Sequence, residues 1–436
     1  MEDLPPEMLV LIFAKINNPL NLLRCREVCT RWTNIIDYSL IKFKRWEEMC
    51  FNNYVRPWIH KVIERRFPLL TKDEWQLLTQ LDWKQVYLSY RIWQTCHRFK
   101  LVHKVIFNFH LPEYEAENET ITSMDVRANF LAIGNFTGIV RYFFIGENIQ
   151  PLYYEEYPHF CVTNIKFWYI DNKRLIAVIA LKNRFLEFWD VQYRESIPSS
   201  LINFPSTAIV CDGHRLFVAN NSEILECVWD GNQVLKGKIS TLGHFPLSPI
   251  AQPLDIICMN IDTDHKLTAV RCDYRILLTN AFIIPTSKNP DFQPIIEGCL
   301  KYYENDNFKR QRFIFNYPVA NTFLIINDEH LHVCLKHSHN YQWKTFVLQS
   351  PLASNTSACF MHANVLLFGL KSGSLLMYVL ENVQHLLEFT TKPAYTRTFK
   401  LDSQPITNLN VAEYNYILYI FATVGTKLYV VTFPTD

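Results

Sequence analysis

The sequence predicts a mainly β protein with a short helical N-terminal part, and two observations carry that prediction. Up to about residue 100, apolar side chains recur at three- and four-residue spacing, the rhythm of helices. Beyond it the rhythm changes to alternation and short apolar runs, and similar units return every ~40–50 residues. Over 436 residues the chain is 49% hydrophobic and 19% charged, a globular balance that excludes disorder.

Each unit reads as two apolar strands, a small or polar turn, and a third strand. The first takes 121–126, 130–133 and 139–145, turning at Asn135 to Gly138. The second takes 162–167, 175–180 and 185–191, turning at Lys182-Asn183-Arg184. The third takes 207–211, 216–219 and 224–229, turning at Asn220-Asn221-Ser222, and the fourth 254–261, 267–270 and 275–280, turning at Asp273. The fifth takes 313–317, 322–326 and 330–335 with a turn at Asn327-Asp328. The sixth takes 357–361, 365–370 and 375–380 with a turn at Ser372-Gly373. The last takes 406–411, 417–422 and 427–433, turning at Val424-Gly425. Seven such units can close into a ring that leaves only short, protected sheet edges, a seven-bladed β-propeller. Because the chain stops at Asp436, the last unit lacks an outer strand. Val105, Phe107, Phe109 and Leu111 alternate ahead of the first unit and can supply it, locking the two ends together in one blade.

Trp189-Asp190 and Trp229-Asp230 sit at or near third-strand ends, and Gly243-His244 stands where a repeat would open. In these marks the region resembles a diverged WD-repeat propeller. The other units lack the Trp-Asp pair and the whole chain has 11 glycines, so six or eight blades stand beside seven.

The first forty residues read as three short helices. Asp3 precedes Pro5 and Pro6, which suit a helix's first turn, and Glu7 complements its N-terminus. Met8, Leu9, Ile12, Phe13 and Ile16 then form a broad apolar stripe, which Asn17-Asn18-Pro19 interrupts. Leu20, Leu22 and Leu23 lead into Val28, Cys29, Trp32, Ile35 and Ile36. Three helices of roughly 35 residues fall below the size of a self-sufficient core, yet the apolar positions exceed what one small core can hide. Either the rest of the chain or a partner must cover the surplus.

In order and spacing, Leu4-Pro5-x-Glu7-x-Leu9, Ile12-Phe13, Ile16, Pro19, Leu22-Leu23 and Val28-Cys29-x-x-Trp32 resemble the F-box. The resemblance covers residues 1–40. It implies docking on a Skp-type adaptor, and through it on cullin and RING subunits. Leu4 and Pro5 would enter the adaptor, Leu9, Ile12, Phe13 and Val28 would extend the apolar contact, and Trp32 would close the helices together. The competing account is that these helices only cap the following domain. Cys25 and Cys29 have no second cysteine pair nearby and read as packing.

Residues 41–101 read as a helical spacer ahead of the propeller at 102–436. Thr71-x-x-Glu74 forms a capping box before Trp75, Leu78 and Leu81. Asp82 then caps a segment in which Trp83, Val86, Tyr87, Tyr90 and Trp93 make an aromatic core stripe. Arg65-Arg66 reads as a solvated helix face in preference to an anion contact.

No catalyst can be nominated. The sequence shows no Gly-x-Ser-x-Gly elbow, no phosphate-cradling glycine loop and no His-Glu-x-x-His. His330, His332, Cys334, His337 and His339 cluster within ten residues, but they match no zinc-ligand spacing and a strand face with a polar loop accounts for them better. No metal and no cofactor are therefore expected. The formal net charge is +1, with 17 Lys and Arg against 11 Asp and Glu in residues 1–110 (+6) and a balance of −5 beyond. That split is too mild for a nucleic-acid partner. Met1-Glu2-Asp3 lacks the features of a signal peptide, no run reaches membrane-spanning length, and the 12 cysteines show no CxxC pair. A cytoplasmic or nuclear, non-membrane protein with reduced thiols is expected.

The resemblances together imply a non-catalytic substrate-recognition subunit of a Skp–cullin–F-box ubiquitin ligase. The propeller would hold an unknown protein substrate, with loops 243–252 and 286–293 contributing. The alternative is an adaptor-binding scaffold without ubiquitination. A propeller enzyme with an incidental helical cap is the third reading.

Overall fold

The structure is a computed structural model that describes residues 4–16, 19–42, 44–54, 56–70, 72–99, 103–108, 120–170, 174–182, 186–199, 204–213, 215–220, 223–241, 255–261, 266–272, 276–283, 294–302, 314–319, 322–326, 330–337, 340–353, 355–381, 384–387 and 396–433. Asp3, the Asn17-Asn18 break, Thr71, Phe109, Leu111, Asn183-Arg184, Asn221-Ser222, Gly243-His244, Asp273, Asn327-Asp328, His339 and both candidate loops lie outside these residues.

Among the described residues six α-helices open the chain: α1 Pro6–Ala14, α2 Pro19–Arg26, α3 Thr30–Lys42, α4 Arg45–Asn53, α5 Arg56–Arg66 and α6 Gln80–Thr95. Pro5 is the N-cap of α1, Pro6 opens its first turn, and Glu7 lies in that turn, where a negative charge complements the free N–H groups. The capping box of α6 differs from expectation. Thr79 is the N-cap and Asp82 is its third residue: the Asp82 amide donates to Thr79 Oγ1 (3.3 Å), and the Thr79 amide donates to Asp82 Oδ2 (2.8 Å). Residues Lys72–Leu77, ahead of it, form a 3₁₀ turn. The aromatic stripe of α6 is buried throughout, from Trp83 to Trp93.

Behind the helices lie seven four-stranded antiparallel sheets among the described residues. Blades 1 to 6 span residues 121–156, 162–196, 208–241, 255–302, 314–347 and 356–400, and blade 7 spans 408–433. The inner strands of successive blades lie side by side, and that of blade 7 returns to blade 1, so the ring closes. The strand His103–Asn108 completes blade 7 by pairing antiparallel with Lys427–Phe433, Val105 opposite Val430 and Phe107 opposite Leu428. The Lys104 ammonium fastens that strand to the backbone of blade 6 by donating to Leu401 O (2.7 Å).

The sequence pattern found three strands per blade; the structure adds a fourth. In blade 1 it is Ile149–Glu156, which is exposed or half-buried along its whole length. In blade 2 it is two residues, Glu195–Ser196. Neither carries the apolar signal that identifies a strand in sequence.

Asp190 and Asp230 close the turns after third strands by one device. Asp190 Oδ1 accepts from the amides of Gln192 and Tyr193 (both 2.9 Å), and Asp230 Oδ1 from those of Asn232 and Gln233 (both 2.8 Å). In the turn between second and third strands of blade 6, Gly373 has φ +75°, and a Cβ there would collide with Asp402 O of the neighbouring connection. Gly373→Ala is accordingly expected to cost about 1–3 kcal/mol, from strain and displacement of the backbone it abuts. Thermal or urea denaturation of the variant measures it.

The helices and blades 5 to 7 share one apolar core, with Trp58, Val62 and Trp93 on one side and Leu324, Met361, Leu366 and Val411 on the other. Arg65 and Arg66, expected on a solvated face, instead reach into the propeller. Arg65 donates from Nη1 to Val126 O (2.7 Å) and from Nη2 to Asn410 Oδ1 (2.6 Å), joining the inner strands of blades 1 and 7. Arg66 pairs with Glu413 (3.2 Å), which also accepts a hydrogen bond from Ser89 Oγ, and stacks over Tyr416 at 4.7 Å. The Trp93 ring meets His362 edge-on at 5.0 Å. Burial, with Arg65 and Lys61 nearby, holds that imidazole well below its ordinary pKa. No helix is long and apolar enough to cross a membrane among the described residues.

Candidate docking surface

Helix α1 is apolar on two faces. Inward, Leu9 and Phe13 are fully covered, Phe13 meeting the Trp32 ring edge-on at 5.1 Å. Outward, Met8, Leu11 and Ile12 stand 47%, 61% and 41% exposed. Their i, i+3, i+4 spacing puts the three on one side of the helix. Val28, in the link between α2 and α3, is 64% exposed, and Pro5 and Cys29 are exposed as well. Leu4 is half-buried.

The three helices hold this surface in fixed register. Arg26 of α2 grips Asp37 of α3 with two parallel bonds, Nε to Oδ1 (2.8 Å) and Nη2 to Oδ2 (2.9 Å). Arg45 at the start of α4 donates to Ala14 O at the end of α1 (2.7 Å). The Trp46 amide donates to Gln80 Oε1 (3.0 Å), tying α4 to α6. A chain of direct bonds therefore runs from the exposed face to the propeller floor.

The candidate residues thus separate into two layers. Pro5, Ile12 and Val28 present surface, Leu9 and Phe13 support it from beneath, and Leu4 lies at the rim. Met8 and Leu11 belong to the surface too. Met8 stood in the expected stripe without a docking role, and Leu11 fell outside it. The signal for both was available: an apolar helix with no polar face must offer one apolar side to something else. Cys29, read as packing, is exposed, while Cys25 is half-buried.

The histidine cluster resolves in part. His330 and His332 stack at 5.8 Å, and buried His332 has its Nδ1 3.0 Å from Thr345 Oγ1. Among the described residues no three metal-ligating side chains come together.

A family profile described as F-box-like matches residues 1–42. Among solved structures, the chain is similar to the WD40 domain of Neurospora crassa Pan2, with a TM-score of 0.51, 11% identity, and coverage of 77% of this chain and 96% of that one. Residues 1–42 are an F-box-like domain, and the sheets behind it form a WD40-like propeller. The chain is also similar to the computationally designed Ika8 protein, at a TM-score of 0.47 and 14% identity, covering 73% of this chain and 98% of that one. No curated protein sequence matches significantly. F-box domains generally bind Skp-type adaptors, and both kinds of module generally serve recognition without catalysis.

Proposed function

We propose that this chain is the substrate-recognition subunit of a Skp–cullin–F-box ubiquitin ligase. The observation that supports it most is the unpartnered Met8-Leu11-Ile12 face beside Val28, displayed by a helix whose other side is already packed. On this reading residues 1–40 dock on the adaptor, with Leu4, Pro5, Ile12 and Val28 in contact and Leu9 and Phe13 shaping the surface. Residues 41–101 connect, and residues 102–436 receive the target. The chain supplies geometry and no reacting group. It raises the concentration of substrate lysines near the charged ubiquitin carrier.

The helices also bear on which propeller face receives the target. Val126, His362, Asn410, Glu413 and Tyr416, which meet α5 and α6, lie in inner strands or in the turns that leave them. The opposite face carries the turns between second and third strands, such as Asn135 to Gly138 and Ser372-Gly373, and we assign substrate binding there. Which target binds is a separate question from docking.

Co-purification tests the reading. The unaltered chain is expected to bring down adaptor and cullin, and Leu4→Ala/Pro5→Ala to lose both. An unaltered chain that binds no adaptor would overturn the proposal. Adaptor without cullin, or no target that accumulates when the chain is removed, would identify a scaffold instead.

A further inference from the structure

Arg127 is out of balance with its surroundings. It ends the inner strand of blade 1, where its Nε is buried without an acceptor. Among the described residues its Nη1 finds only Cys211 Sγ, at 3.9 Å, and the Tyr169 ring lies 5.6 Å from Cζ. Nearby Arg65 is bonded to uncharged acceptors, Val126 O and Asn410 Oδ1. The carboxylates that act on Arg65 are Asp125 and Glu64. Asp125 pairs with Lys166 (3.1 Å) and accepts from the Phe167 amide (2.8 Å), while Glu64 pairs with Lys61 (2.7 Å). Once those ammonium groups are matched, two guanidiniums remain, a local excess of two positive charges among the described residues.

The strain registers on Arg65. Burial first, then the repulsion of Arg127, lower its pKa to about 10 against the pull of Asp125 and Glu64. A buried guanidinium donor with no acceptor is costly, because water's hydrogen bonds are lost without replacement. The place is not sealed. Helix α5 lies against the inner strands of blades 5, 6 and 7. Arg127, Lys166, Tyr169 and Cys211, on blades 1 to 3, are half-buried.

We infer that this helix-side end of the inner strands binds a compact dianionic oxyanion, gripped by Arg127 and flanked by Arg65, Lys166 and Tyr169. Two negative charges match the excess. The guanidinium edge offers parallel N–H donors of the kind that hold phosphate or carboxylate oxygens in pairs. Such an anion would tie blades 2 and 3 to the helical floor that already holds blades 5 to 7 and, through Arg65, blade 1. The inference stands apart from the ligase reading, since it concerns the face opposite the assigned substrate site.

The test titrates the full-length chain with inorganic phosphate, pyrophosphate and malonate, each against sodium chloride of equal ionic strength. Calorimetry and melting temperature are the two readouts. Saturable binding of a dianion with a raised melting temperature is expected, and the phosphate and malonate arms distinguish the two chemistries. Arg127→Gln should weaken binding about tenfold or more, the scale of one lost charge-assisted bond. Lys371→Gln, on the opposite face, should leave it unchanged. Without added anion, Arg127→Gln should melt no lower than the unaltered chain, because it removes an unpaired cation. Overturning results are no binding beyond the chloride control, equal binding by Arg127→Gln, or a lower anion-free melting temperature for that variant.

Discussion

Leu11→Asp/Ile12→Asp is expected to abolish adaptor binding while leaving the fold intact. Both side chains are largely in solvent, at 61% and 41% exposure. Substitutions at such positions usually move stability by no more than about 0.5 kcal/mol. In a docked complex the same positions would be dry, and each carboxylate would lose its hydration without gaining a partner. At a few kcal/mol for each desolvated polar group, the pair should weaken binding by ~1,000-fold or more. Phe13→Ala provides the contrast. That ring is covered and meets Trp32 at 5.1 Å. Removing it should cost about 3–5 kcal/mol of stability by leaving a cavity. Adaptor affinity by surface plasmon resonance, with melting temperature read in parallel, separates the two effects. If the double aspartate variant binds normally, α1 is not the docking helix; if it melts far below the unaltered chain, its exposed face is covered in solution.

The contrast between Ile12 and Phe13 also marks what the sequence can disclose. Spacing identified α1 and its apolar surplus, because 3.6-residue periodicity is local. It could not say which of two apolar faces turns inward, since Trp32 and Leu22 decide that from other helices. The propeller was legible for the same local reason in its first three strands per blade, where Leu175 through Ala180 or Val365 through Leu370 form short buried runs. Outer strands such as Ile149–Glu156 vanish from the pattern because both their faces are largely wet. Arg65 and Arg66 depart from the solvated face that the sequence predicts, for the opposite reason. Asn410 and Glu413, 345 and 347 residues away, decide whether that basic pair faces water or protein. Arg127 gave no signal at all, since an unmatched charge is visible only once its neighbours are known.

The pair formed by Arg66 and Glu413 yields the second large effect. The Glu413 side chain is 6% exposed and takes bonds from Arg66 (3.2 Å) and Ser89. Glu413→Ala would leave a guanidinium that is only 17% exposed without its counter-charge, with Gln85 Oε1 (3.3 Å) as its remaining side-chain acceptor, and would strip the buried Ser89 hydroxyl of its acceptor. Removing one partner of such a pair should cost about 3–5 kcal/mol. Glu413→Gln keeps an acceptor for both donors and should cost about 1 kcal/mol or less, the worth of an ordinary hydrogen bond. The charge itself is not favoured here. Burial raises the carboxyl's pKa above its ordinary 4.5, against the opposing pull of Ser89 and Arg66. The folded chain therefore holds this proton where the unfolded chain has released it. The resulting stability is present below the unfolded value and is lost as pH rises through the folded one. Urea unfolding at pH 4 and at pH 7 should thus show the unaltered chain losing ground to Glu413→Gln as pH rises, whatever the other carboxylates do to both. A gap that closes the other way would mean the ion pair outweighs the burial. Equal costs for alanine and glutamine would mean that Arg66 is satisfied by Gln85 Oε1 (3.3 Å), and that Arg65 and the shared apolar core fasten the helices to the propeller without it.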